Sequence, residues 1–323
     1  MDVAALSDLR TTRRLVIKVG SALLVQDGAP RAEWLATLAA EIAELRRSTE
    51  IIVVSSGAIA LGAAKLGLAK GGRGSLADAQ AAASVGQVEL ARLWADALGA
   101  HAITAAQMLV TLGDLEDRRR YLNASATLAR LLEAGAVPVV NENDSVATEE
   151  IRFGDNDRLA ARVAQAAGAD AVLLLSDVDG LYDRDPREAG AVRIERVTGV
   201  TPEIIAMASG ESASGLGSGG MLAKLQAARI AERAGIALAI VNGTHAAPIG
   251  RALDAGVGTL FLPQSDASAR KAWLGGRLAP AGVLSVDAGC AAALDKGASV
   301  LAAGLTAVEG EFGRGDLVAL HGP

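Results

Sequence analysis

The sequence predicts an α/β fold in which helices sandwich a mostly parallel sheet, with a small β-rich module added at the C-terminal end. Three observations carry that class. Short continuous runs of Val, Ile and Leu recur through residues 1–262, amphipathic stretches of helical period separate them, and the alternation stops near Pro263. A parallel strand is covered on both faces, so it reads as an unbroken apolar run and not as an alternating one.

The elements follow in order. "RLVIKVG" is the first run, stopped by Gly20, and "RAEWLATLAAEIAELRR" then places Trp34, Leu35, Leu38, Ile42 and Leu45 on one helical face. "IIVVSSGA" leads into an alanine-rich segment. "VPVVNEND" follows the helical "YLNASATLARLLEAG", "AVLLLSD" follows "DRLAARVAQAAGAD", and "IALAIVNG" follows "KLQAARIAERAG". From Pro263, "PQSDASARKAWLGGRLAP" mixes Pro, Gly, Ser and charge without a period, which predicts a linker over 263–280 between a domain at 1–262 and a module at 281–323. In that module "GVLSVD", "SVLAAG" and "DLVALHG" predict short strands and "AGCAAALDKG" a helix.

Composition narrows the function classes. The chain has 323 residues, 51% of them hydrophobic, and 31 Lys plus Arg against 37 Asp plus Glu give a net charge of -6. That balance disfavours nucleic acid and anionic membranes as partners and leaves small molecules. The one cysteine, Cys290, has no partner for an internal disulfide and is expected to be a small buried hydrophobe. No signal-peptide core opens the chain, and no apolar run reaches the ~20 residues needed to span a bilayer, so a soluble cytoplasmic protein is expected.

In a parallel sheet ligands bind beyond the C-terminal strand ends, here "KVG", "SSG", "NEND", "SD" and "NG". Lys18 in "IKVGSALL" sits near such an end; an ammonium there either reaches an anion or snorkels to water. "SGLGSGGMLAK" lacks the G-x-x-x-x-G-K-[ST] spacing of a P-loop, yet its glycines precede a strong helix, so they fit either a phosphate cradle with Lys224 one turn in, or a mobile loop. "VVSSGAIALG" ends a strand in Ser55, Ser56 and Gly57, which turn chemistry alone also explains. Asn141, Glu142, Asn143, Asp144, Asp155, Asn156 and Asp157 crowd two neighbouring positions. One of the last three serves as a helix N-cap, and the surplus calls for a cationic partner such as a substrate ammonium, a lysine or Mg2+. Asp177 stands where it could orient the lysines, while Asp179 with Gly180 fits a turn. Three dispersed histidines, the lack of a G-x-S-x-G elbow and a single glycine after the first strand argue against zinc, serine-hydrolase and Rossmann chemistry.

"VIKVGSALL", "VVSSGAIALG", "QMLVT", "VPVVNENDSVATEEIRFGDNDRLAA", "LLLSDVDGLYDRDPR" and "SGLGSGGMLAKLQAA" occur in an order that resembles the glutamate 5-kinases of the amino acid kinase family, over about residues 13–262. The resemblance implies ATP-dependent phosphorylation of the L-glutamate γ-carboxylate, the first step of proline biosynthesis, with Mg2+ on the ATP phosphates and no protein ligand for it assigned. It implies Lys18 and Lys224 at the transferring phosphoryl group with Asp177 holding them, and ATP on Lys18, Ser176, Asp177, Ser218, Gly219, Gly220, Met221, Leu222, Ala223 and Lys224. Ser56, Asp144 and Asn156 are expected to bind glutamate. The resemblance further implies inhibition by L-proline and a homo-oligomer, dimer or tetramer. A kinase of the same fold acting on acetylglutamate, aspartate, carbamate or a nucleotide is the alternative, and a catalytically silent sensor is another. The C-terminal stretch resembles the start of a PUA domain, shortened and with an incomplete barrel. Its two Lys/Arg against five Asp/Glu over 281–323 oppose RNA binding.

Overall fold

The computed structural model describes residues 3–146, 155–208, 218–263, 282–294, 298–313 and 318–322. Within them the expected alternation is present: β1 Arg14–Val19, α1 Ser21–Leu24, β2 Val25–Gln26, β3 Ala29–Pro30, α2 Ala32–Leu45, β4 Glu50–Ser55, α3 Ala58–Leu66, α4 Leu76–Gly99, β5 Ala105–Val110, α5 Leu112–Glu116, α6 Arg118–Glu133 and β6 Val137–Glu142. The chain continues through α7 Asp155–Ala167, β7 Ala171–Ser176, β8 Arg196–Val197, α8 Pro202–Ala208, α9 Ser218–Arg233, β9 Ala237–Asn242, α10 Pro248–Ala255 and β10 Thr259–Phe261.

Eight of these strands form one sheet in the order β5-β6-β4-β1-β7-β9-β10-β8. The pairs from β5 through β9 are parallel, with Lys18 opposite Val54 on one side and Leu174 on the other, so the C-terminal ends of β1, β4 and β7 share one edge of the sheet. Two features depart from the sequence reading. β10 runs antiparallel to β9, and β5, whose half-buried "AAQMLV" lacks a run of branched residues, adds an edge strand.

Two apolar layers cover the sheet. On one face Leu15, Ile17 and Val19 of β1 pack with α2, α4 and α10; the five α2 residues expected on one helical face are all buried there. Each such side chain contributes about 1.5–3 kcal/mol of burial. On the other face Val16, Ile52, Leu174 and Ile240 pack with α6, α7 and α9. Helices α3 and α4 cross backbone to backbone: a Cβ on Gly62 would lie 1.8 Å from the Ala82 carbonyl oxygen, and one on Gly86 would lie 1.7 Å from that of Ala58.

The C-terminal module has a mixed three-stranded sheet, with β11 Gly282–Val286 between antiparallel β12 Leu305–Gly310 and parallel β13 Val318–His321. The helix expected there is α11, Ala288–Leu294. "SVLAAG" is not a strand: it is irregular backbone leading into a 3-10 turn at Ala302–Gly304, and pairing begins only at Leu305, where the chain regains its ladder partners. Cys290 is half-buried on α11, less covered than expected, because this small sheet offers little to pack against it. The stretch read as a linker lies, beyond Pro263, outside the described residues.

Candidate active site

The period of two along each strand decides which side chains reach the cleft. On β1, Val16 faces the α6, α7 and α9 layer, so Lys18 points the same way. Ile52 and Val54 set the same direction for Ser56 just past β4, and Val172 and Leu174 set it for Ser176. Asn141 and Ser55 fall on the opposite face, where α4 meets them. Trp94 Nε1 donates to Ser55 Oγ at 2.8 Å, and Asn141 Nδ2 donates to Gln87 Oε1 at 2.8 Å.

These ends enclose a cleft of about 240 Å³ whose lining includes Lys18, Ser56, Asp144, Asn156, Asp157, Ser176, Asp177, Gly220 and Lys224. The structure thus gathers Lys18, Lys224 and Asp177 with Ser56, Asp144 and Asn156. Of the glycine-rich run, Gly220 and Lys224 reach the cleft. Met221 packs into the apolar layer, Leu222 is partly exposed and Ala223 is buried, none of them lining the cleft. Ser218 and Gly219 form the first turn of α9, while residues 209–217, and with them Gly215 and Gly217, lie outside the described residues. In "VATEEIRFGD" only the ends are described, and Asp155 enters here by its backbone at the start of α7.

At the centre is an ion triad. Lys18 Nζ lies 2.6 Å from Asp157 Oδ1 and Lys224 Nζ lies 3.2 Å from Asp157 Oδ2, with Lys224 also donating to the Gly220 carbonyl at 3.3 Å. Asp157 is 1% exposed, a position untenable for an unpaired carboxylate. Two things hold it ionised: the first turn of α7, whose dipole favours negative charge, and the two ammonium groups. Burial works against that charge, but Lys18 and Lys224 outweigh it and keep the carboxyl below the ordinary Asp value. Two cations against one anion leave the triad with a net positive charge facing the cleft.

Asp177, expected to hold the lysines, does not do so. It is exposed beyond the end of β7, and its hydrogen bond among the described residues comes from Ser176 Oγ at 3.1 Å. Asp157 takes that place because α7 brings it down over the strand ends. A signal for it existed in the sequence. Asp157, Ala160, Ala161 and Ala164 share a helical face, and an acid heading a buried stripe needs a buried cation. Sequence reasoning also missed Arg73, whose guanidinium at the cleft rim is shifted down by burial, with the Asp144 carboxylate opposing that shift.

The acid dependence of this triad has a definite sign. Asp157 has a lower pKa folded than unfolded, so its contribution is fully present above the ordinary value of 3.8 and is lost as the pH falls through the folded value. The stability difference between the wild type and Asp157→Asn is therefore expected to be constant from about pH 5 to 7 and to shrink below 3.8. Denaturant titrations across that range check it; a difference that shrank between neutrality and pH 5 would assign the dependence to another group.

Next to the triad, Asn156 Nδ2 donates to Ser56 Oγ at 2.7 Å and to Asn141 Oδ1 at 3.2 Å. Its Oδ1 is buried and has no hydrogen-bond partner among the described residues. An orphaned buried acceptor is costly unless a ligand supplies a donor.

The model of the amino acid kinase family matches residues 13–242. The chain belongs to the amino acid kinase family. A PUA domain model matches residues 267–323, beginning inside the stretch read from sequence as a linker. The chain is 68% identical to a glutamate 5-kinase of Novosphingobium aromaticivorans, over 99% of this chain and 86% of the relative. It is 62% identical to that of Sphingopyxis alaskensis, over 96% and 84%, and 57% identical to that of Zymomonas mobilis, over 94% and 78%. Within the amino acid kinase family, these identities place it with the glutamate 5-kinases. Among solved structures, carbamate kinase from Giardia lamblia bound to AMP-PNP aligns with a TM-score of 0.55 at 15% identity, over 79% of this chain and 100% of that one. UMP kinase from Ureaplasma parvum aligns at 0.51 and 18% identity, over 77% and 98%. At such identities the likeness is one of fold alone. No helix among the described residues is long and apolar enough to cross a membrane.

Proposed function

We propose that this amino acid kinase transfers the γ-phosphoryl group of ATP to the γ-carboxylate of L-glutamate, giving L-glutamyl 5-phosphate and ADP. The observation that carries this reading is the buried Lys18–Asp157–Lys224 triad at the shared strand ends. A side-chain carboxylate with an ordinary pKa of about 4.3 is already ionised at neutral pH, so the acceptor needs no general base. What opposes reaction is the approach of one anion to another. Lys18 and Lys224 neutralise the phosphoryl oxygens, and Asp157 holds both ammonium groups at fixed positions so that little reorganisation is needed as charge shifts.

The remaining lining residues divide by chemistry. Ser176, Asp177 and the start of α9, of which Gly220 and Lys224 reach the cleft, fit the nucleotide, the helix start favouring phosphate. Ser56, Asp144 and Asn156 fit glutamate. Asp144 suits the α-ammonium. Because the Asn156 amide nitrogen is engaged by Ser56 and Asn141, the group it offers is its acceptor Oδ1, which suits the ammonium better than the carboxylate expected from sequence. The Ser56 hydroxyl proton then serves the α-carboxylate.

Mg2+ belongs to the reading through ATP. An ion bound with ATP is held mainly by the phosphates and one or two carboxylates. Asp177, exposed at the cleft edge, is the carboxylate that fits. The ion would neutralise phosphate charge alongside the two lysines.

Hydroxylamine trapping tests the reaction. With ATP, Mg2+ and glutamate the purified chain is expected to yield γ-glutamyl hydroxamate, and aspartate or acetylglutamate to yield little; preference for another acid would reassign the substrate. Inhibition by proline competing for the glutamate residues is part of the same proposal. A rate undiminished by high proline would remove that part while leaving the kinase reading intact.

A further inference from the structure

Three side-chain amides run in series from α4 to the cleft. Asn156 Nδ2 donates to Asn141 Oδ1 at 3.2 Å, and Asn141 Nδ2 donates in turn to Gln87 Oε1 at 2.8 Å. Gln87 belongs to α4, Asn141 to β6 and Asn156 to the first turn of α7, so the series crosses from one covering layer to the other at the end of a strand. Among the described residues, Asn141 and Asn156 line the cleft and Gln87 does not. Asn141 is 2% exposed, so its amide depends on protein partners and not on water.

The backbone fixes Gln87 in place. Gly86, the residue before it, is where α4 meets α3 backbone to backbone, and α3 begins just after Ser56 and Gly57. Seven residues farther along α4, on the same helical face, Trp94 Nε1 donates to Ser55 Oγ at 2.8 Å. Through Gln87 and Trp94, α4 is thus tied to the ends of β6 and β4.

An amide has a donor end and an acceptor end, so a series of them has a direction. Because Gln87 offers Asn141 an acceptor, the Asn141 nitrogen turns to α4 and its oxygen turns to Asn156. Asn156 then commits its nitrogen to Asn141 and Ser56, and its Oδ1 is left for a ligand. Were Asn141 turned over, its nitrogen would face that of Asn156, donor against donor. Asn156 would have to turn as well and would present N–H groups to the ligand. The same residues would then suit a carboxylate and not an ammonium.

We propose that Gln87 is a positioning residue for substrate selection. By accepting from Asn141 it sets the Asn156 amide with its oxygen toward the cleft, and the site thereby selects an acid that carries an ammonium group. The inference rests on the glutamate reading of the cleft and adds to it a residue outside the cleft. In that reading Asp144 attracts the ammonium by charge, and the amide series gives the contact its direction.

Gln87→Met keeps the length of the side chain and removes the acceptor. Hydroxamate formation by the full chain tests it, with glutarate as a competitor that has both carboxylates of glutamate but no ammonium. The KM for glutamate is expected to rise about tenfold, the effect of orphaning a buried amide donor, while the KM for ATP and the inhibition constant of glutarate rise less than about twofold. In an Asn156→Ala background the same substitution is expected to add less than about twofold, because the two residues act in one network. An unchanged KM for glutamate, equal weakening of glutamate and glutarate, or a full effect in the Asn156→Ala background would overturn the proposal alone. A wild-type chain that forms no hydroxamate from glutamate would overturn the reaction on which it rests, and the proposal with it.

Discussion

Asparagine in place of Asp157 is expected to lower kcat for hydroxamate formation by about 10²–10³-fold, the cost typical of removing one preorganised electrostatic group. The substitution keeps the volume but replaces one of the two acceptor oxygens by an amide donor and removes the charge that holds Lys18 and Lys224, 2.6 and 3.2 Å away, in one geometry. Two buried ammonium groups without their counter-ion repel, and either one moves or one loses its proton; in both cases the phosphoryl oxygens lose a fixed cation. Lys224→Ala is expected to cost a similar factor. Because the three groups act as a unit, the double variant should lose little more than either single one. Steady-state rates for the four proteins decide the matter. Losses that multiplied would mean that Asp157 and Lys224 act independently, and an unimpaired Asp157→Asn enzyme would return the organising role to Asp177.

Alanine in place of Gly86 is expected to destabilise the kinase domain by about 3 kcal/mol or more, at the upper end for overpacking, because the obstacle is backbone and cannot rotate away. Its Cβ would stand 1.7 Å from the Ala58 carbonyl oxygen and 2.6 Å from the Gly62 nitrogen. The two helices must separate to admit it. A fall of about 6–12 °C in Tm corresponds to that figure. Gly99, the last residue of the same helix, has nothing within 4 Å of its Cβ position, and Gly99→Ala serves as the control with little change. Activity should fall together with stability in Gly86→Ala, since α3 begins at the Ser56–Gly57 turn, where Gly57 has φ +119°. Equal melting temperatures for the two variants would mean that the crossing is looser than these contacts.

Much of the fold was legible because its signals are local. A buried parallel strand must be apolar throughout, and a covering helix must carry a stripe, so β1, β4, β6, β7, β9, α2, α6, α7 and α9 could each be read from their own residues. β5 and the direction of β10 were not legible, since an edge strand of mixed burial has no continuous run and strand direction is fixed by which neighbour it pairs with. In the module, Leu305–Gly310 was missed for a related reason: five of its six residues are exposed, so burial imposed no pattern on it.

The site divides along the same line. Lys18, Ser56, Ser176 and Asp177 could be named from sequence because a polar residue closing an apolar strand is conspicuous, Asp144 and Asn156 because they stand in stretches too rich in polar groups for turns alone, and Lys224 because a glycine run precedes its helix. The sequence by itself thus determined the class of fold, the edge of the sheet where chemistry belongs and the two lysines, Lys18 and Lys224, that meet there. Only the tertiary structure decided which carboxylate joins them, that the Asn156 amide presents an acceptor, and that α3 and α4 touch at two glycines. The physical reason is distance along the chain. Residues 18, 157 and 224 acquire their separations from strand order and helix packing, which no local pattern encodes, whereas burial and period act within a few residues of each other.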